Sequence, residues 1–109
     1  MATFLRTTVK KNIGITPVNA LTPNPTSYYT VIGCNLANTT DNEVFVDISV
    51  TDAAGITGVY INNLIIQPYT SSKVITNGEK LIIAGNCILT ITSDTANSVD
   101  AVISYAEVI

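Results

Sequence analysis

Four carboxylates crowd one stretch of the sequence: Asp41, Glu43, Asp47 and Asp52. Paired carboxylates can act as general acid and base when they face each other across a cleft at matched distance. Spacing argues against that here. Asp41 and Asp52 bracket a segment patterned as one strand, and at ~3.3 Å per residue this holds them roughly 30 Å apart or more. Asp47 falls in the middle of that strand, on its outward face, so a solvated face is expected rather than a catalytic pair. The Asp41–Glu43 turn lacks the spaced oxygen ligands of a calcium loop. The chain has no histidine, which removes the commonest general base and the commonest metal ligand and excludes Ser-His and Cys-His nucleophiles. Cys34 and Cys87 are too few for a zinc site without histidine and form no disulfide framework; both fall on inward faces, where cysteine packs as a small hydrophobe. The six glycines are scattered, with no phosphate-cradling loop. Tyr28-Tyr29, beside a proline-rich stretch, could offer a sugar platform, but no tryptophan supports it and strand packing accounts for both rings. The expectation is a chain with no catalytic residue, no metal site and no cofactor, and not an enzyme.

The elements that must carry these residues are strands. Of 109 residues, 42 are Ile, Val or Thr, which are stiff at the first side-chain torsion and fit a pleated surface. Strong helix formers are scarce and no window shows helical periodicity. Residues 3–10 read as a first strand or an extended arm. Pro17, Pro23 and Pro25 make 16–27 a loop or an edge, since proline cannot donate to a ladder. Tyr28–Ala37 reads as a strand with Ile32, Cys34 and Leu36 on one face. Glu43–Thr51 is the cleanest strand, with Val44, Val46, Ile48 and Val50 inward and Phe45, Asp47, Ser49 and Thr51 outward. Thr57–Ile66 follows, with Val59 and Ile61 sharing a face and a kink at Asn62-Asn63. Asn77-Gly78 is a strong hairpin signal between 72–76 and 79–83. Cys87–Ser93 and Ser98–Val108 complete the set. Seven to eight short strands at this spacing predict one all-β domain, an antiparallel β-sandwich or jelly roll. Alternation decays late, leaving Ile88 and Val102 outward.

Charge divides the chain. Only 12% of residues are charged, against about 25% in an ordinary soluble protein. Low charge also marks the cores of interfaces. Arg6, Lys10 and Lys11 lie in residues 1–11 with no acid, while all eight acids lie in the remainder. The organisation read from this is a basic N-terminal arm or edge strand, 1–11, on a sandwich domain, 12–109, with the arm suited to an acidic neighbour. The net charge of −3 and the lack of a basic patch interleaved with aromatics argue against nucleic acid. No signal peptide or long apolar run is visible, so a soluble, cytosolically made protein with no membrane partner is expected. Phe4, Arg6, Lys10, Lys11, Phe45, Ile88 and Val102 are the candidate interface residues.

Three segments carry a resemblance: VIGCNLANTT at 31–40, GEKLIIAGNCILTITSD at 78–94 and ANSVDAVISYAEVI at 96–109. A strand pair leads into a Gly-Asn turn, then a Ser/Thr-rich strand, then a terminal strand bearing Ser104, Tyr105 and Glu107. From about Tyr28 onward the chain resembles small virion proteins of tailed bacteriophages; residues 1–27 are not covered. The resemblance implies a β-sandwich subunit of a phage particle, made in the bacterial host cytoplasm and carried in the virion. It implies capsid decoration or cement, with a neck, tail or baseplate accessory role as the alternative; a lectin-like module that binds host glycans is a separate alternative, resting on Tyr28-Tyr29 and the Asn-rich loops. It implies a homo-oligomer, by analogy a trimer, with the major capsid protein as partner and no cofactor.

Deleting residues 2–11 is predicted to leave the fold intact and weaken assembly, whereas deleting 98–109 removes a whole strand and abolishes folding. Circular dichroism and sedimentation of the two truncations check this; an unfolded 2–11 truncation would make the first strand part of the core.

Overall fold

A computed structural model describes residues 2–75 and 81–109. The expected Asn77-Gly78 hairpin lies outside the described residues. Among the described residues nine strands run in order: β1 (Thr3–Ile13), β2 (Val18–Leu21), β3 (Tyr28–Asn38), β4 (Val44–Thr51), β5 (Thr57–Ile66), β6 (Ser71–Ile75), β7 (Leu81–Ile83), β8 (Ile88–Ser93) and β9 (Val99–Val108). They form two sheets, here called A and B. Sheet A has the order β1-β9-β3-β6, with β7 also on β3, and sheet B the order β2-β8-β4-β5. Every pairing is antiparallel.

The topology has a simple origin. β1 pairs with β9, β2 with β8, β3 with β6 and β7, and β4 with β5. These are the rungs of one long hairpin whose tip is the 52–56 turn. Rolling that hairpin brings β9 against β3 and β8 against β4, which gives a jelly roll. The expected seven to eight strands become nine because two short pieces share one position, β6 against Cys34–Ala37 and β7 against Tyr29–Val31. In the 16–27 stretch the edge alternative holds: β2 follows Pro17 and pairs only with β8.

The core lies between the sheets and is almost wholly aliphatic. Val44, Val46 and Ile48 from β4 meet Val31, Leu36, Ile103 and Ala101 from sheet A, with Leu89 and Ile91 alongside. Alternation in β4 and in β8 is as the two-residue period requires. Two expectations fail, both at bulges. Ile32 does not share a face with Cys34 and Leu36: it is half exposed, because register against β9 shifts between Val31 and Gly33 and turns it outward. Val59 and Ile61 also part company. Val59 pairs with Ser49 on the outside and Ile61 with Ile48 on the inside, across a register shift. The kink at Asn62-Asn63 is another such shift, with Asn63 at φ 50° and its amide donating to Asp47 Oδ1 at 2.7 Å. A bulge inserts one residue and so reverses the parity that a sequence pattern assumes.

Polar groups at the strand ends are tied down. Asn38 is buried, and its Nδ2 donates to the carbonyls of Asn42 and Ile66 at 2.7 and 3.0 Å, while its Oδ1 accepts from Thr40 N at 2.9 Å. One side chain thus clamps the ends of β3 and β5 to the loop before β4. Gly85 sits so close to Pro25 and Asn24 that a Cβ there would strike their carbonyls, so only glycine fits.

Cys34 is buried in the core and Cys87 half-buried against it. Burial pushes the Cys34 thiol from 9.0 up to about 12. Between those values the unfolded chain releases a proton that the folded chain keeps, so stability falls as pH rises from 9.0 toward 12, at up to about 1.4 kcal/mol per pH unit. Burial also raises the Tyr29 hydroxyl, which adds loss in the same direction from its ordinary value of 10.0 upward. Urea titrations across this range should show a shallower decline for Cys34→Val. At pH 8 a water-soluble thiol reagent should label Cys87 in the native protein and spare Cys34.

Candidate functional site

Among the described residues no group of three or more His, Cys, Asp or Glu gathers that could hold a metal ion. Instead the carboxylates hold backbone. Asp52 Oδ1 accepts from Ala54 N and Ile56 N at 2.9 and 3.0 Å, closing the β4–β5 turn. Asp94 Oδ1 accepts from Phe45 N at 3.0 Å, and Asp100 Oδ1 from Asn12 N at 2.9 Å beside the β1 bulge. With Asp47 on Asn63, each of these four acids satisfies a main-chain donor that a turn or bulge has taken out of the ladder. The Tyr pair is likewise divided. Tyr28 is exposed, but Tyr29 packs on the core and meets the Tyr105 ring at 4.5 Å, leaving no two-ring platform for a sugar.

What the fold leaves unused is the pair of broad outer faces. On sheet A, register lays out one cross-strand row from Leu5 through Ala106 and Thr30 to Ile82, and another from Val9 through Val102 and Asn35 to Lys73. Leu5 is 80% exposed, Val9 62%, Ile82 61% and Ile32 52%. Single exposed apolar residues are ordinary, but a contiguous group marks a contact surface. Between β9, β3 and β6 this face dips into a shallow depression of about 310 Å³ walled by Ile32, Val102, Ser104 and Lys73. Asn35 also lines it, and its Oδ1 is buried without a hydrogen-bond partner. On sheet B the outer face is hydroxyl-rich, with Ser49 beside Thr90 and Asp47 beside Thr92. Its apolar part is Phe45 beside Ile65, with Val59 further along β5.

The seven residues singled out from sequence do not form one patch. Val102 lies on the outer face of sheet A and is 41% exposed. Lys11 is exposed near the end of β1, and Lys10 is half-buried on its inward side opposite Ala101. Phe45 and Ile88 are half-buried on the outer face of sheet B. Phe4 and Arg6 form a separate cluster at the other end of β1. Arg6 Nε donates to Glu107 Oε1 at 2.6 Å, and the guanidinium lies 5.2 Å from the Phe4 ring centre. The hydrogen bond and the charge of Glu107 hold Arg6 above its ordinary value. Leu5, Val9, Ile32 and Ile82 were not singled out. Leu5 and Val9 alternate with Thr3 and Thr7, a signal visible in sequence; Ile32 was hidden by the bulge, and Ile82 by a run of three apolar residues.

No family model matches the chain, and no curated protein matches it. Among solved structures it is similar to a pentameric capsid protein isolated from metagenomic phage sequences, at 18% identity and a TM-score of 0.46, over 94% of this chain and 58% of that one. It is also similar to a chain in a structure of infectious bursal disease virus, Gt strain, at 11% identity and a TM-score of 0.44, over 97% of this chain and 37% of that one. The chain thus spans less than two thirds of the length of either of these two proteins.

Glu107 is buried and Arg6 half exposed, so removing the cation strands a carboxylate in a dry site. Arg6→Ala should lower the urea midpoint, and Arg6→Ala with Glu107→Gln should recover part of the loss. A double variant no more stable than Arg6→Ala alone would show that the pair does not couple.

Proposed function

We propose that this chain is a non-enzymatic structural subunit of a tailed-phage virion, decorating or cementing the head shell through contacts between subunits. The observation that carries this reading is the outer face of sheet A. It is broad, and among Thr30, Asn35, Ser104 and Lys73 it exposes the aliphatic side chains of Leu5, Val9, Ile32, Ile82 and Val102. A monomer that lived alone in water would gain nothing from such a face and would risk aggregation by it. Support also comes from β1. It is an edge strand, free on one side, with no proline and with register irregular only between Lys10 and Ile13. Edges of this kind are normally capped, charged or covered; Lys10 and Lys11 charge part of this one, and assembly would cover the rest. The resemblance in the segments around Cys34, Cys87 and Tyr105 points the same way, and is what makes the assembly a phage particle.

The partners on this reading are further copies of the chain, a trimer by the same analogy, and the major capsid protein. A neck, tail or baseplate position would use the same faces and differ only in copy number. A glycan-binding role finds little support, since Tyr29 is turned into the core.

Quantitative gels and mass spectrometry of purified particles test the proposal. The expected result is a fixed stoichiometry to the major capsid protein, retained through a density gradient. A chain that is expressed but missing from purified particles overturns it, and a copy number in single figures or low tens moves it from the shell to the neck or tail.

A further inference from the structure

The fold separates charge by sheet. Every cation among the described residues is on a sheet A strand: Arg6, Lys10 and Lys11 on β1 and Lys73 on β6. Sheet A carries two acids, Asp100 and Glu107, on β9. The other described acids, Asp41, Glu43, Asp47, Asp52 and Asp94, lie on β4 or in the turns that flank β4 and β8 in sheet B. No cation lies there. Sheet A thus holds a net +2 and sheet B a net −5; on the outer face of sheet A the charges are Lys11, Lys73 and Asp100, since Arg6, Lys10 and Glu107 lie on the inward side. Glu79 and Lys80 cancel, which accounts for the whole chain's −3. Of the sheet A cations only Arg6 has an acidic partner, since Arg6–Glu107 is the ion pair found among the described residues.

We infer that copies of this chain associate head to tail, with the outer face of sheet A of one copy on the outer face of sheet B of the next. This rests on the reading of the chain as an assembly subunit. The occupant of the apolar face is a second copy because that copy presents what the face lacks. Lys11 and Lys73 meet the acids at the Glu43 end of sheet B. The exposed aliphatic residues of sheet A meet Phe45, Ile65 and Val59. The unpartnered Asn35 Oδ1 meets a face rich in Ser and Thr hydroxyls, which can donate.

A two-fold arrangement of sheet A on sheet A would bury more aliphatic surface. It would also bring two faces of net positive charge together, because an isologous contact pairs a patch with itself, and like charge facing like across an interface is disfavoured. Size is no obstacle. The molecule spans 45 × 27 × 21 Å, and with sheets about 10 Å apart the short dimension is the stacking direction. Each broad face then exceeds the ~800 Å² per partner of a stable interface.

Sedimentation velocity of the full chain and two charge-reversed variants tests the arrangement. Lys11→Glu with Lys73→Glu alters sheet A; Asp41→Lys with Glu43→Lys alters sheet B. All four residues are exposed, and the acids that brace turns and bulges are untouched. Each variant should associate at least ~10-fold more weakly than wild type, and an equimolar mixture of the two should recover association, because every contact in the mixture is again complementary. Wild-type association should also weaken when salt is raised from ~0.05 M to ~0.5 M.

If the sheet A variant binds wild type more tightly than wild type binds itself, while the sheet B variant behaves as wild type, the contact is two-fold and the inference is wrong. Salt-independent association, or association unmoved by either reversal, also overturns it, as does a wild-type chain that stays monomeric at high concentration. Those results leave the virion reading standing or falling on particle stoichiometry alone.

Discussion

Antiparallel pairing on both sides of β9 is the interaction on which the rest of the molecule depends. The last strand is not an appendage: it lies between β1 and β3 and hydrogen bonds to both along nearly its whole length. It supplies Val99, Ala101, Ile103 and Tyr105 to the core. Without it β1 has no partner at all, and β3 keeps only the short β6 and β7. Sheet B has no such keystone. Its two central strands, β4 and β8, pair with each other and each carries one edge strand.

The pattern of Val and Ile made most of this legible. The β4 faces, the β8 faces, the Asn62-Asn63 kink and the absence of helix all follow from a two-residue period and β-branched composition. The failures are local and share one cause. Ile32 and Val59 sit beside register shifts, and a shift is a property of two strands together, so neither strand's own sequence records it. Pairing across the roll was illegible for a related reason. Nothing in residues 3–13 says that their partner is 99–108, because strand order is set by how the whole hairpin coils.

The surfaces were less legible than the core. Low charge suggested that something covers the protein, and Val102 and Phe45 were picked out by their parity. Which apolar residues form a continuous area depends on lateral neighbours. Leu5, Ala106, Thr30 and Ile82 come from four different strands. Acids were misleading in another way. Their crowding between residues 41 and 52 looks like a site, but Asp47, Asp52 and Asp94 each accept from a main-chain amide displaced by a bulge or turn. Their position follows from what β4 and its turns require, and the uneven charge of the two sheets is a by-product available for assembly to use.

The main-chain bonds between Ala2 and Ile109, one in each direction, mark how far apart in sequence the outermost rung of the roll is. During synthesis β1 leaves the ribosome before β9 and waits, unsatisfied, for residues made about a hundred positions later. Closure of sheet A is therefore a late event, and pairings of such separation are slow to form. Until then Leu5, Val9 and the open edge of β1 are available to any other nascent chain. Lys10 and Lys11 in that same strand put like charges on the open edge, one of the devices by which edge strands resist pairing with another chain.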